Sequence, residues 1–196
     1  FNYTLNKQDF YSGIGEIIKL HIMGGRRYIK ELSGLLPGII LKRKAFLLKA
    51  IRNALHIKRG YIEIDEFDAG RRNLLNYGHC FGHALETASG FKVPHGQAVA
   101  IGMMLANIAA RTRGLLSCAL ERKLFNELFS PAVSVRFREY LYREKDIISS
   151  MKKDKKRIGE KLPLVVLKNG FCVEKKVDLS EGEAKLALRE LASRIK

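Results

Sequence analysis

The sequence predicts a mainly α-helical fold with one small β-hairpin near the C-terminus. Apolar residues recur at spacings of three and four from Lys7 to about Lys153, as they do on the buried faces of helices. Two short β-rich runs then flank Asn169 and Gly170, a dipeptide typical of tight hairpin turns. Since 46% of the residues are hydrophobic, the chain can bury a substantial core and is not expected to be disordered.

The N-terminal part is predicted to contain two helices and a loop. DFYSGIGEIIKLHIM (9–23) has one continuous helical pattern. LPGIILKRKAFLLKAIRNALHIKR (36–59) has another, which we expect to follow a break at Pro37 and Gly38. IDEFDAG (64–70) then has the composition of a loop.

The middle of the chain is predicted to hold a helix from about Arg71 to Ser89, a loop bounded by glycine and proline (90–96), and a buried helix that closes at Gly114. After the hairpin, Ser180 with Glu183 three residues later forms the capping box that begins a C-terminal helix. A glycine fingerprint for a dinucleotide between strand and helix is missing. The principal site for a nucleotide cofactor is therefore not expected in these residues.

The composition favours a cytoplasmic protein with a strongly basic surface. The cysteines Cys80, Cys118 and Cys172 are far apart and odd in number, which does not indicate a disulfide framework. Neither a signal peptide nor an apolar run of membrane-spanning length is recognisable. The net charge of +16 is spread along the chain without a nucleic-acid-binding motif. We therefore expect no membrane partner and no nucleic acid, although a basic helical nucleic-acid-binding domain stays an alternative.

A stripe of polar residues surrounds the sequence NYGHCFGH. Its members are Asp68, Arg72, Asn76, His79 and His83, whose spacings of four, four, three and four place them on one face of a continuous helix. A solvated polar face is the simplest explanation. The mixture of an acid, a guanidinium, an amide and two imidazoles instead favours a binding site. Gly78 and Gly82 are costly in a helix, which indicates close approach of another backbone or a ligand.

A third histidine, His95, follows in the next loop and completes a set of possible metal ligands. Imidazole and carboxylate groups are typical zinc ligands. A metalloprotease of the HExxH type is excluded, because Cys-Phe-Gly separates His79 from His83. The helical spacing alone indicates that His79 and His83 bind one metal ion together.

Four segments resemble the C-terminal domain of the 3-dehydroquinate synthase family and occur in the same order as in that family. Its members are sugar phosphate cyclases. The segments are SGIGEIIK (12–19), DEFDAGRRNLLNYGHCFGHALE (65–86), HGQAVAIGM (95–103) and MKKDKK (151–156). The resemblance covers nearly the whole chain. It implies a carbon–oxygen lyase of the shikimate pathway that cyclises 3-deoxy-D-arabino-heptulosonate 7-phosphate with zinc, or another divalent metal such as cobalt, and NAD⁺. A homodimer is also expected.

The resemblance also implies roles for individual residues. Zinc would be held by Glu16, His79 and His95, and His83 would face the substrate as an acid or base. Further positions match substrate-binding residues: Lys19, Lys58, Arg72, Asn76, Asp68 and Lys155, with Lys156 as the alternative to Lys155. In this family NAD⁺ is bound mainly by an N-terminal α/β domain, which we do not find within residues 1–196. We therefore expect this chain to be the C-terminal metal- and substrate-binding portion and to be inactive alone.

Two residues depart from the family pattern. Gln97 and Asp68 both stand where the family has Glu. They leave the implied metal ligands intact, but they leave the identity of the substrate undecided. A related cyclase that acts on another sugar phosphate, a metal domain like that of iron-type alcohol dehydrogenases, and a structural remnant that dimerises without chemistry are the remaining alternatives.

Overall fold

The computed structural model describes residues 4–67, 70–153 and 162–195. Its helices and strands are, in chain order, α1 (Lys7–Met23), α2 (Arg26–Ile40), α3 (Lys44–Ile64), a 3₁₀ helix (Arg71–Asn76), α4 (His79–Ala88), α5 (His95–Thr112), α6 (Cys118–Leu124), a π-helical turn (Phe125–Phe129), α7 (Ser130–Ala132), α8 (Arg138–Leu141), α9 (Glu144–Lys153), β1 (Leu162–Lys168), β2 (Cys172–Leu179) and α10 (Glu181–Arg194). The mainly α-helical fold with one hairpin is confirmed.

Helix α5 forms the centre of the core. Every residue from Gly96 to Ala110 is buried, because α1, α4, α10 and β1 pack around it. A helix that is apolar all round is typical of such a central position. It ends before Gly114, whose φ of +70° terminates the helix as the sequence predicts.

The predicted break at Pro37 and Gly38 is wrong, since α2 continues through both residues to Ile40. Gly38 packs directly against the ring of Phe46 on α3, where a Cβ atom would lie 2.5 Å from the ring. This tertiary contact stabilises the last turn of α2 despite the proline. The chain turns two residues after the end of α2, where Lys42 has a φ of 56°.

The single helix predicted from Arg71 to Ser89 is also wrong. The 3₁₀ helix and α4 are separate, and Gly78 lies between them with a φ of +83°. This left-handed conformation, which glycine adopts readily, changes the direction of the chain. Arg72 and Asn76 therefore do not share a helix face with His79 and His83.

The C-terminal predictions are confirmed. The two strands pair antiparallel, with Lys168 opposite Cys172, and Asn169 and Gly170 lie in the turn. Ser180 and Glu183 form a complete capping box, in which each side chain binds the other's backbone N–H. Within the described ranges, no helix is both long enough and apolar enough to cross a membrane.

Candidate functional site

Three helices bring Glu16, His79 and His95 together. Glu16 lies in the middle of α1, while His79 and His95 are the first residues of α4 and α5. One ligand atom from each residue can be chosen so that all three atoms lie within 4.8 Å of one another. Such a cluster of one carboxylate and two imidazoles has the composition of a three-residue zinc site.

Contact between backbones fixes Glu16 beside His95. A Cβ atom on Gly15 would lie 2.0 Å from the carbonyl oxygen of Gly96, and one on Gly96 would lie 1.9 Å from that of Ser12. Only glycine permits this approach of α1 to the start of α5. The Ser12 hydroxyl also accepts a hydrogen bond of 2.8 Å from the Gly96 N–H. As a result, Glu16 Oε1 lies 3.8 Å from His95 Nε2.

Glycines also bring α4 against α5. A Cβ atom on Gly78 would lie 2.6 Å from the Val99 carbonyl oxygen, and one on Gly102 would lie 2.0 Å from the Gly78 carbonyl oxygen. Gly82 continues the contact one turn further along α4. Of the two explanations that the sequence offers for these glycines, close approach of another backbone is the one observed.

The His79 imidazole is in the neutral form, which can donate a lone pair to a metal ion. Burial and, to a smaller extent, the charge of Lys19 lower the pKa of His79 to about 4, so the ring is neutral at neutral pH. Its Nδ1 lies 3.2 Å from the Tyr77 carbonyl oxygen. Because a carbonyl only accepts, Nδ1 carries the proton and Nε2 keeps its lone pair. Metal ligation requires this neutral form.

Glu16 is held ionised by its neighbour on the same helix. Burial alone would raise the pKa of Glu16, but the charge and hydrogen bond of Lys19, together with His79 and His95, outweigh burial and lower it. Lys19 Nζ lies 2.8 Å from Glu16 Oε2. Burial in turn lowers the pKa of Lys19, and the charge of Lys58 on α3 acts in the same direction. An ionised carboxylate and a neutral imidazole together fit a divalent metal ion.

His83 lies one turn beyond His79 on α4 and is exposed. Its ring centre is 5.2 Å from that of His79 and 5.9 Å from that of His95. Within the described part of the chain, no group of three closely spaced ligand atoms includes both His79 and His83. His83 instead lines a pocket beside the cluster, with walls from Asn73, Asn76, His79, Cys80, Pro163, Leu164, Val165 and Lys175.

The other residues implied by the resemblance lie at different distances from this cluster. Asn76 lines the pocket with the histidines. The Arg72 guanidinium donates to the Glu66 carbonyl oxygen at 2.5 Å, and the Arg72 N–H donates to Asp65 at 2.8 Å, so Arg72 is engaged in the preceding turn. Lys58 is exposed on α3. Asp68, Lys155 and the alternative Lys156 lie outside the described residues.

Gln97 has a structural explanation. Its side chain is fully buried, and its amide nitrogen donates to the carbonyl oxygens of Tyr11 at 2.8 Å and Ala132 at 3.1 Å. Its amide oxygen accepts from the Ser134 N–H at 2.8 Å. Because both ends of the amide are used by backbone groups, Gln97 joins α1, α5 and α7, and it no longer bears on the identity of the substrate.

Two residues near the histidines were missed by the sequence analysis. Glu86 lies beside His95, with both carboxylate oxygens 3.2 Å from His95 Nδ1. It stands three residues after His83 on α4, so continuing the polar stripe by one step would have included it. Lys175 reaches the pocket from β2. The sequence carries no local signal for Lys175, because the hairpin is distant in the chain.

Solved structures with this architecture identify the class of fold. The fold matches 2-epi-5-epi-valiolone synthase from Streptomyces hygroscopicus, solved with NAD⁺ and Zn²⁺ bound, with a TM-score of 0.73 and 22% identity over 99% of this chain and 54% of that one. It also matches 2-deoxy-scyllo-inosose synthase, complexed with carbaglucose-6-phosphate, NAD⁺ and Co²⁺, with a TM-score of 0.68 and 17% identity over 93% of this chain and 51% of that one. This chain thus has the fold of about half of each of these two synthases.

Sequence comparison identifies the family within this class. The family model described as 3-dehydroquinate synthase C-terminal matches residues 13–157, and the chain belongs to this family. It is 32% identical to the 3-dehydroquinate synthase of Dictyoglomus turgidum and 34% identical to that of Dictyoglomus thermophilum, in both cases over 95% of this chain and 52% of the relative. The chain thus spans about half the length of these relatives.

Proposed function

We propose that this chain is the metal- and substrate-binding portion of a 3-dehydroquinate synthase. The complete enzyme would convert 3-deoxy-D-arabino-heptulosonate 7-phosphate to 3-dehydroquinate with elimination of phosphate, in the shikimate pathway. The observation that carries this proposal is the convergence of Glu16, His79 and His95 within 4.8 Å, with His83 beside them at the pocket. The similarity to relatives named 3-dehydroquinate synthase over 95% of the chain supports the same activity.

Glu16, His79 and His95 would hold a zinc ion, or cobalt in its place. When bound, the metal supplies a Lewis acid with an open coordination position for substrate oxygens, and NAD⁺ supplies the hydride acceptor. We assign NAD⁺ mainly to the part of the enzyme that this chain does not cover in its relatives. Because the Tyr77 carbonyl accepts the proton of His79 Nδ1, the lone pair of His79 is on Nε2 and available to the metal.

The remaining side chains of the site would bind the substrate and move protons. Lys19, which is only 5% exposed, places a positive charge beside the metal ligands, where a negatively charged substrate oxygen can pair with it. Asn76 can donate to a hydroxyl or carbonyl group in the pocket. His83 is an exposed imidazole at the pocket and serves as the acid or base. Lys58, Arg72, Asp68 and Lys155 are assigned to substrate binding on the sequence resemblance.

The first experiment measures zinc in the purified chain. We expect one zinc ion per chain by elemental analysis, and loss of that zinc in the His79→Ala variant, since two ligands do not retain the ion at stoichiometry. A matched control is His56→Ala, which removes an exposed histidine from α3. A chain that contains no zinc, and takes up none after dialysis against it, would contradict the proposed metal centre.

The second experiment tests the reaction. The chain is combined with the N-terminal half of a related 3-dehydroquinate synthase, and phosphate release with NAD⁺ is measured for a panel of heptulose and hexose phosphates. We expect turnover of 3-deoxy-D-arabino-heptulosonate 7-phosphate by the mixture and none by either part alone. Sedimentation of the active mixture also measures the homodimer that the resemblance implies.

A related cyclase that acts on another sugar phosphate is the second candidate. It is favoured by one observation, the Asp68 that stands where the family has Glu among its substrate-pocket residues. An aspartate is one methylene shorter, so it would suit a substrate with a differently placed hydroxyl. The same substrate panel decides between the two, because turnover of a hexose phosphate or another heptulose phosphate in preference to the heptulosonate would favour the second candidate.

A further inference from the structure

We propose that Glu86 is a positioning residue that orients His95 for metal binding. Both carboxylate oxygens of Glu86 lie 3.2 Å from His95 Nδ1, which is hydrogen-bonding distance. The opposite ring nitrogen, Nε2, faces Glu16 at 3.8 Å. This inference rests on the proposed function, because it assigns Glu86 a role toward the metal that Glu16, His79 and His95 would hold.

The tautomer of His95 follows from this geometry. A carboxylate accepts hydrogen bonds, so the neutral His95 ring places its proton on Nδ1 and its lone pair on Nε2. The lone pair then points to the side on which Glu16 lies. In metal sites, a ligating histidine generally donates its second ring N–H to a carboxylate or a backbone carbonyl, which fixes both the tautomer and the ring orientation.

His95 needs such a partner more than His79 does. The His95 side chain is 48% exposed, so packing leaves its ring free to rotate, whereas the Glu86 side chain is only 15% exposed and is held on α4. His79 already has the Tyr77 carbonyl at its Nδ1. Each imidazole thus has an acceptor at Nδ1, the Tyr77 carbonyl for His79 and the Glu86 carboxylate for His95. Both rings therefore present Nε2 to the cluster.

A competing role for Glu86 is direct ligation. His83, Glu86 and His95 also have ligand atoms within 4.8 Å of one another. A metal bound there would take His83, Glu86 and His95 as ligands and would leave Glu16 and His79 unused. The two roles therefore predict different sets of sensitive residues.

The test compares Glu86→Gln with Glu63→Gln in the full chain. Glu63 is an exposed residue of α3 whose carboxylate pairs with Arg59, so its replacement makes the same change in charge away from the site. Zinc affinity is measured by competition with a chromophoric chelator, and the tautomer of His95 is read from ¹⁵N–¹H NMR of the metal-free protein. We expect Glu86→Gln to keep one zinc per chain with affinity about 10- to 100-fold weaker. The Nδ1–H tautomer of His95 should predominate in the wild type and in Glu63→Gln, and become mixed in Glu86→Gln.

Each outcome decides for or against the inference. Equal zinc affinity of Glu86→Gln and wild type would overturn it and leave the proposed metal centre intact. Loss of zinc from Glu86→Gln and His83→Ala, with retention in Glu16→Gln, would overturn it in favour of direct ligation. If the wild type binds no zinc, the proposed function fails, and the NMR measurement still decides whether Glu86 sets the tautomer of His95.

Discussion

The two ends of α5 carry two clusters of charged and polar residues, one suited to binding a metal ion and the other to stabilising the fold. His95 begins the helix and Arg111 lies in its last turn, about 24 Å away at 1.5 Å per residue. The cluster around His95 has the ligand geometry described above. The cluster around Arg111, here called the ion-pair ring, consists of Arg111, Glu121, Glu190 and Arg194.

In the ion-pair ring, the charges neutralise one another. Arg194 Nη1 lies 2.7 Å from Glu121 Oε1, and Arg111 and Arg194 each donate to one oxygen of Glu190. Arg111 Nε lies 3.8 Å from the other oxygen of Glu121, which closes the ring. Two arginines and two glutamates are thus matched, and the ring joins α5, α6 and α10.

At the His95 end, the pairing is incomplete. Glu16 pairs with Lys19 and Glu86 with His95 Nδ1, but the Nε2 atoms of His79 and His95 have no hydrogen-bond donor among the described residues. Charged groups that are paired with one another stabilise a fold. Nitrogen lone pairs that converge without a hydrogen-bond donor are instead suited to binding a cation. The comparison therefore separates a structural cluster from a functional one within a single helix.

The largest expected effect is on the ion-pair ring. Glu121 is 2% exposed, and Glu121→Ala would leave Glu190 as the one acidic partner of Arg111 and Arg194 among the residues that the structure describes. We expect the free energy of unfolding to fall by about 3–4 kcal/mol, because removing one member of a buried ion pair leaves charge uncompensated. Urea denaturation measures this loss, and the zinc affinity should stay unchanged. A stable variant with weakened zinc binding would reverse the assignment of roles to the two ends.

Gly102→Ala should disturb the packing of α4 against the middle of α5. The new methyl group would lie 2.0 Å from the Gly78 carbonyl oxygen, so α4 must move away from α5. We expect a loss of about 2–3 kcal/mol in stability, typical of overpacking. Zinc affinity should fall as well, because His79 moves with α4. The matched control is Gly34→Ala on α2, where a Cβ atom meets open space; equal behaviour of the two variants would contradict this account of the helix contact.

Acid should weaken the Arg111 end through its neighbour Arg113. Hydrogen bonds from Arg113, outweighing burial, lower the pKa of Glu183 from 4.5 to about 2. The contribution of Glu183 to stability is complete above pH 4.5 and is lost as the pH falls toward 2, because the unfolded chain takes up the proton first. Because solvent screens this partly exposed pair, about 1 kcal/mol should be lost by pH 3. Urea denaturation between pH 6 and pH 3 should show a shallower decline in Glu183→Gln than in the wild type, and identical slopes would refute this role.

The smallest effect on stability is expected for His83→Ala. Because His83 is exposed on α4, the free energy of unfolding should change by less than about 0.5 kcal/mol. One zinc per chain should remain, whereas turnover in the complemented enzyme should fall by about 10²- to 10⁴-fold, as expected for loss of an acid or base. Thermal unfolding, zinc analysis and phosphate release measure the three quantities. Loss of zinc would show instead that His83 is a ligand.

Local patterns in the sequence predicted the parts of the fold that depend on neighbours in the chain. The hairpin at Asn169 and Gly170 and the capping box at Ser180 are formed by residues within a few positions of one another, so their sequences carry enough information. The breaks in the helices were predicted less well. A break was expected at Pro37 and Gly38 before a helix, but the packing of Gly38 on Phe46 keeps both residues within α2. Gly78 separates two helices where the spacing of polar residues predicted one.

The sequence by itself determined the mainly helical fold, the family resemblance and the presence of histidines and glycines in a repeating pattern. The tertiary structure decided which of these residues meet. Helical spacing alone paired His79 with His83. Backbone contact of Gly15 with Gly96 instead brings Glu16 to His95, and contact of Gly78 with Gly102 brings His79 to both. Helix periodicity describes one helix at a time, whereas a site assembled from α1, α4 and α5 depends on how closely their backbones can approach.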